Sequence, residues 1–128
     1  MSREFEYVVK KKVTEEDITN IIVDGLETGI TYWAMLHNNT EEFNAYYKNT
    51  DLATAEIVAE IMLKGGSVKI TDREEDVEPK YNLTLDRLLV GISKNAEERP
   101  WDCDLENYDA DTVDAIIQYA IFDEVIFG

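Results

Sequence analysis

Few residues in this sequence have the right chemistry for catalysis. Covalent hydrolysis or acyl transfer needs a nucleophile within hydrogen-bond reach of a base. There is one histidine, His37, just after the run YWAML, and one cysteine, Cys103, inside WDCDLENYD. Asp102 and Asp104 flank Cys103 and favour its protonated thiol, whereas a reactive cysteine needs a lowered pKa. Gly65-Gly66 follows a helical stretch and does not open one, so it is no phosphate-cradling loop. No catalytic residue and no enzyme activity are assigned on these grounds. For metal chemistry, Asp102-x-Asp104-x-Glu106 resembles the start of a calcium loop. The match fails at position six, Asn107 where the turn wants Gly, and at position twelve, Val113 where a bidentate Glu belongs. The carboxylates of Asp109, Asp111 and Asp114 read as helix capping and a solvated face, so neither a metal nor a cofactor is expected.

The remaining candidates act by binding. Twelve Lys and Arg stand against 28 Asp and Glu, a net charge of −16. Direct binding to nucleic-acid phosphates needs a basic face, and an anionic membrane repels so acidic a protein. The expected partner is a host protein with a basic surface. Two stretches concentrate the acids. DREEDVEP holds Asp72, Glu74, Glu75, Asp76 and Glu78 with one Arg, a net −4, and residues 97–114, including Asp102, Asp104, Glu106 and Asp109, net −7. Carboxylates this dense imitate the phosphate pattern of a duplex, about one charge per 1.7 Å of axis, and suit the basic groove of a nucleic-acid enzyme. The competing reading is a surface that only keeps the chain soluble. Trp101, after Pro100 in a polar loop, is the aromatic best suited to a partner or subunit contact. A second binding reading makes Tyr32, Trp33, Arg87, Arg99 and Trp101 a stacking and phosphate-holding set. Such a set would sequester a nucleotide-derived signal between the subunits of a homo-oligomer. Tyr32-Trp33, in an apolar segment, reads first as core.

The elements that must position these groups follow from periodicity. Residues 4–12 alternate, with Phe5, Tyr7 and Val9 on one face, and predict a half-buried strand. Thr14 predicts an N-cap for a helix with the stripe Ile18, Ile21, Ile22, Leu26, ended by Gly29. Residues 30–35 read as a short buried strand, and Thr40 to Phe43 as one helical turn. Thr54 to Lys64 predicts a helix stopped by Gly65-Gly66. Residues 67–71 and 80–84 predict paired strands, and Thr84 caps a helix through Leu85, Leu88, Leu89 and Ile92. Residues 95–111 read as irregular, Asp111 as the cap of the last helix, and EVIF as a final strand. The expectation is one α+β domain over residues 1–128, a mainly antiparallel sheet of about five short strands packed with three or four helices. One cysteine allows no intramolecular disulfide, and no apolar run reaches the ~18 residues of a membrane span. Both fit a cytoplasmic protein.

Four strings, VDGLETGITYW, GGSVKITD, YNLTLDRLLVGI and AIIQYAIFDEVIFG, occur in this order over residues 13–128. In sequence and spacing they resemble a widespread family of small acidic proteins encoded by phages and prophages of Firmicutes. Asp123 stands where the family pattern has Gly, and residues 38–49 depart from it. The resemblance implies a viral accessory role and no reaction. The expected function is that of a binding protein, a host-defence inhibitor with a nucleic-acid-mimicking surface. The alternatives are the oligomeric sponge and a structural phage accessory.

Overall fold

In the computed structural model, residues 2–37, 43–44, 54–73 and 81–128 are described below. Thr14, in extended backbone, accepts the Asp17 N–H on its hydroxyl while the Asp17 carboxylate accepts the Thr14 N–H, both at 3.1 Å. This reciprocal cap opens α1, Glu15–Asp24, whose first-turn acids sit where the helix dipole favours negative charge. α1 does not run on to Gly29 as expected but widens into a π turn, Gly25–Gly29. β1 is Ala34–His37, α2 Thr54–Leu63, β2 Ser67–Asp72, β3 Tyr81–Thr84, α3 Leu85–Glu98 and α4 Ala110–Phe122. Gly65, at φ 93°, ends α2 in a conformation that costs other residues strain. Among the described residues the fold is therefore α+β: four α-helices and a three-stranded antiparallel sheet in the order β1-β2-β3.

α4 sits at the centre. α3 packs along one side of it and the π turn along the other; α2 lies against α1 and β2. From Thr112 to Ala120 every residue of α4 is buried, so its hydrophobicity is nearly continuous instead of one-faced. Two close approaches require glycine. A Cβ on Gly91 of α3 would stand 2.3 Å from the Ile116 carbonyl oxygen, and one on Gly29 2.7 Å from Val113 Cγ2. The core joins Ile21 and Ile22, Ile57 and Met62, Ile70, Leu83, Leu88, and Ile116 and Ile117.

Five expectations are corrected. Residues 2–12 form no strand, and all of them are exposed. Alternation alone does not hold a strand without a neighbouring ladder. Strand β1 starts at Ala34, not Ile30, because the Trp33 and Ala34 N–H groups both return to the Ile30 carbonyl, at 3.1 and 2.9 Å, in a tight turn. α3 continues to Glu98, well into the stretch read as irregular. The cap of α4 is Asp109, whose carboxylate accepts the Thr112 N–H at 3.1 Å; Asp111 lies inside the first turn. EVIF is not a strand, so the sheet has three strands among the described residues instead of about five. The turn expected at Thr40 to Phe43 lies mostly outside the described residues. Among those residues no helix is long and apolar enough to cross a membrane.

Candidate functional site

The connection between α3 and α4 carries most of the singled-out residues. α3 ends at Glu98, Arg99 leaves the helical conformation, and Pro100–Asp102 make one turn of 3-10 helix. Arg99 holds the corner: its Nη2 donates to Asp102 Oδ2 at 2.7 Å and its Nη1 to Asn95 Oδ1 at 3.1 Å. Asn95, buried on α3, donates its Nδ2 to the Asp102 carbonyl at 2.9 Å. The second Asp102 oxygen accepts from the buried Thr112 hydroxyl at 2.5 Å, and the Asp109 N–H donates to that hydroxyl at 3.2 Å. Thr112 thus ties Asp102 to the start of α4. The Thr112 backbone N–H, followed by its hydroxyl, holds the Asp109 carboxyl below the usual carboxylate range.

The turn has two further ties. Asp104 Oδ1 accepts the Glu106 N–H at 2.9 Å, and the Tyr108 hydroxyl donates to Asp24 Oδ2 on α1 at 2.5 Å. Burial, then the Asp24 hydrogen bond, pushes the Tyr108 hydroxyl up to about 12. On this braced turn Trp101 is 76% exposed. Glu97, Glu98, Asp104 and Glu106 are exposed around the same connection. The Cys103 thiol, half-buried, donates to the Pro100 carbonyl at 3.4 Å.

The structure therefore divides the residues singled out as an acidic face. Asp102 and Asp109 brace the fold, Asp104 shapes the turn, and Trp101 with Glu106 faces outward. Asp72 belongs to β2, paired with Ala34. Glu74, Glu75, Asp76 and Glu78 lie outside the described residues. Among the described residues no three His, Cys, Asp or Glu side chains gather closely enough to hold a metal ion.

The stacking and phosphate-holding set does not converge. Trp33 is 3% exposed, stacked on Phe127 at 4.7 Å between ring centroids, and its Nε1 donates to Asp114 Oδ1 at 2.8 Å. Tyr32 donates its hydroxyl to the other Asp114 oxygen at 2.6 Å; burial first, then this bond, pushes that hydroxyl up to about 12. Arg87 is spent on the end of α4, with Nε donating to the Ala120 carbonyl at 2.7 Å and Nη2 to Asp123 Oδ1 at 3.0 Å. Lys94 adds a bond to the Asp123 carbonyl at 2.8 Å. Cations at a helix C-terminus satisfy its last carbonyls and its dipole. The set splits into two places: Tyr32 and Trp33 meet at Asp114, and Arg99 and Trp101 share the turn after α3.

Asp114 and Gln118 were missed as a pair by sequence reasoning. They stand at i, i+4 on a helix that is otherwise apolar, where a polar pair signals buried partners needing hydrogen bonds. Gln118 Nε2 donates to Asp114 Oδ1 at 2.9 Å, while its Oε1 accepts the Ile126 and Phe127 N–H groups, each at 2.8 Å. Gln118 thus takes up three backbone groups of EVIF, the Ile126 and Phe127 N–H and the Phe127 carbonyl, without a neighbouring strand. No family model, curated protein or solved structure matches the chain.

Proposed function

We propose that this chain is a binding protein, of the phage or prophage accessory type that its sequence motifs resemble. It acts in the cytoplasm of a bacterial host and occludes a basic surface on a host protein, a nucleic-acid-handling defence factor. The observation that carries this reading is the braced Trp101 turn. Trp101 holds a large aromatic ring 76% exposed on a fixed turn, and aromatic anchors dominate interface energetics. Its backbone is fixed by the Arg99–Asp102–Thr112 clamp, so little ordering entropy is lost on docking. The exposed acids around it and the net charge of −16 select a basic partner and speed encounter with it. The nucleotide-sponge reading draws less support, because Arg87 and Arg99 are engaged within the chain and the Trp33 ring is covered.

The test is affinity capture from bacterial lysate with the wild-type chain and Trp101→Ala as paired baits. Wild type should retain a basic protein at about 0.05 M salt and release it at about 0.5 M, where exposed charges are screened within a few ångströms. Trp101→Ala should lose it at both. Identical captured sets for the two baits, or retention insensitive to salt, would overturn the reading.

A further inference from the structure

Residues 2–12 are strand-patterned but unpaired. Phe5, Tyr7 and Val9 alternate with Glu4, Glu6 and Lys10, yet the segment makes no ladder, and Tyr7 is 87% exposed. A run of large apolar residues held in water gains by burial, and an alternating run gains most by joining a sheet edge.

The sheet offers two edges, and they are unequal. β3 passes directly into α3 at Leu85 and packs against both α3 and α4. At β1, the Trp33 carbonyl accepts the Arg73 N–H at 2.9 Å, and Met35 and His37 pair with Thr71 and Lys69. By the alternation of an antiparallel ladder, the Leu36 N–H and the Ala34 and Leu36 carbonyls then face away from β2. No other strand among the described residues pairs with that side. Met35 adds an exposed apolar side chain on the same strand.

Charge identifies the occupant. Arg3, Lys10, Lys11 and Lys12 are four of the 12 basic residues, and with Glu4 and Glu6 they give the arm a net +2. The rest of the chain then carries −18. The body of a second copy is thus a surface of opposite charge to the arm, whereas two bodies without arms repel. We propose that residues 2–12 add as a strand to the β1 edge of a second copy, reciprocally, giving a two-fold dimer. The two arms offset the repulsion between the acidic bodies and close edges that would otherwise template aggregation.

Sedimentation velocity on the full chain, with hydrogen exchange at the Leu36 amide, tests this. A Tyr7→Pro/Val8→Pro variant removes consecutive backbone donors, so it blocks pairing through either side of the arm. A triple Lys10→Glu/Lys11→Glu/Lys12→Glu variant removes the attraction. All five positions are exposed, so both variants should melt like wild type when dilute. The wild-type chain should dimerise, and each variant should raise the dimer Kd about tenfold or more. Leu36 protection should rise with wild-type concentration and not with that of the variants. A wild-type chain monomeric up to about millimolar concentration overturns the proposal. So do a proline variant that dimerises equally well and Leu36 protection independent of concentration, which would place the arm on its own sheet.

Discussion

The side-chain amide of Gln118 grips Phe127 at both of its backbone groups. Oε1 accepts the Phe127 N–H at 2.8 Å and Nε2 donates to the Phe127 carbonyl at 3.1 Å, as a neighbouring strand would. That grip seats the Phe127 ring on Trp33. Gln118→Leu should free residues 124–128 and cost about 1–3 kcal/mol, the range for losing buried polar partners. Gln118→Glu should cost more, because it sets a carboxylate against Asp114 and removes the donor. Urea denaturation of the three proteins checks the order, and hydrogen exchange at Ile126 and Phe127 should accelerate in both variants.

Tyr32 and Tyr108 give the fold an alkaline limit. Each hydroxyl is raised from 10.0 to about 12 in the folded state, mainly by burial and then by a carboxylate partner. A raised folded-state pKa means the native state holds the proton more tightly than the unfolded chain. Their contribution is therefore complete below pH 10 and is lost as pH rises towards about 12. Unfolding free energy measured against pH should fall across this window. Asp24→Asn should return Tyr108 only part of the way towards 10.0, since burial is the larger cause. Tyrosinate absorbance during alkaline titration reads both.

Gly91→Ala should be severe. Its methyl group would meet the Ile116 carbonyl oxygen at 2.3 Å and Ala120 Cβ at 2.9 Å, in backbone that cannot yield without parting α3 from α4. The expected loss is about 3 kcal/mol or more, at the upper end for overpacking. A melting temperature within error of wild type would contradict so close an approach.

Asp123 occupies the left-handed region at φ 62°, a conformation that favours glycine. Its carboxylate also meets Arg87 at 3.0 Å, in a largely exposed pair. Exposed pairs contribute about 0–1 kcal/mol, similar in size to the relief a glycine brings at such a cap. Asp123→Gly should therefore stay within about 1 kcal/mol of wild type. Asp123→Val, which loses the pair and adds β-branched strain, should cost about 1–3 kcal/mol. Thermal unfolding of the two side by side separates backbone strain from charge.

Trp101→Ala should leave folding stability within about 0.5 kcal/mol, as exposed substitutions do, while abolishing partner capture. Thr112→Val should do the converse and destabilise the clamp by about 1–3 kcal/mol, through Asp102 and Asp109 left without its hydroxyl. Chemical denaturation and capture assays on the two variants together separate the anchor from its support.

Several local signals decided by one residue were readable, though the cap of α4 was read at Asp111 and lies at Asp109. The Thr14 and Thr84 caps, the Gly65 stop and the β2–β3 pairing all stand as expected, since capping and hairpin periodicity depend on neighbours in sequence. The strands expected at residues 4–12 and at EVIF failed because a strand is a property of its partner, which the sequence does not name. The exposed Trp101 was legible from Pro100 and the polar loop around it. The Arg99–Asp102–Thr112 clamp was not, because it depends on how α3 and α4 meet, so bracing acids and outward acids look alike in sequence. Asp114 looked like another member of an acidic run until Tyr32 and Trp33, more than 80 positions away, were seen to donate to it.

The placement of α4 has a consequence for how the protein is made. The helix that α3 and the π turn pack against begins only at Ala110. Synthesis from the N-terminal side releases α1, α2, the sheet and α3 before that support exists. Through that interval α1 and α2 have each other to pack against, but the apolar stripe of Leu88 lacks the helix that α3 packs on. Docking of α3 should therefore be a late event, and a nascent chain stalled before Ala110 a substrate for chaperones and proteases.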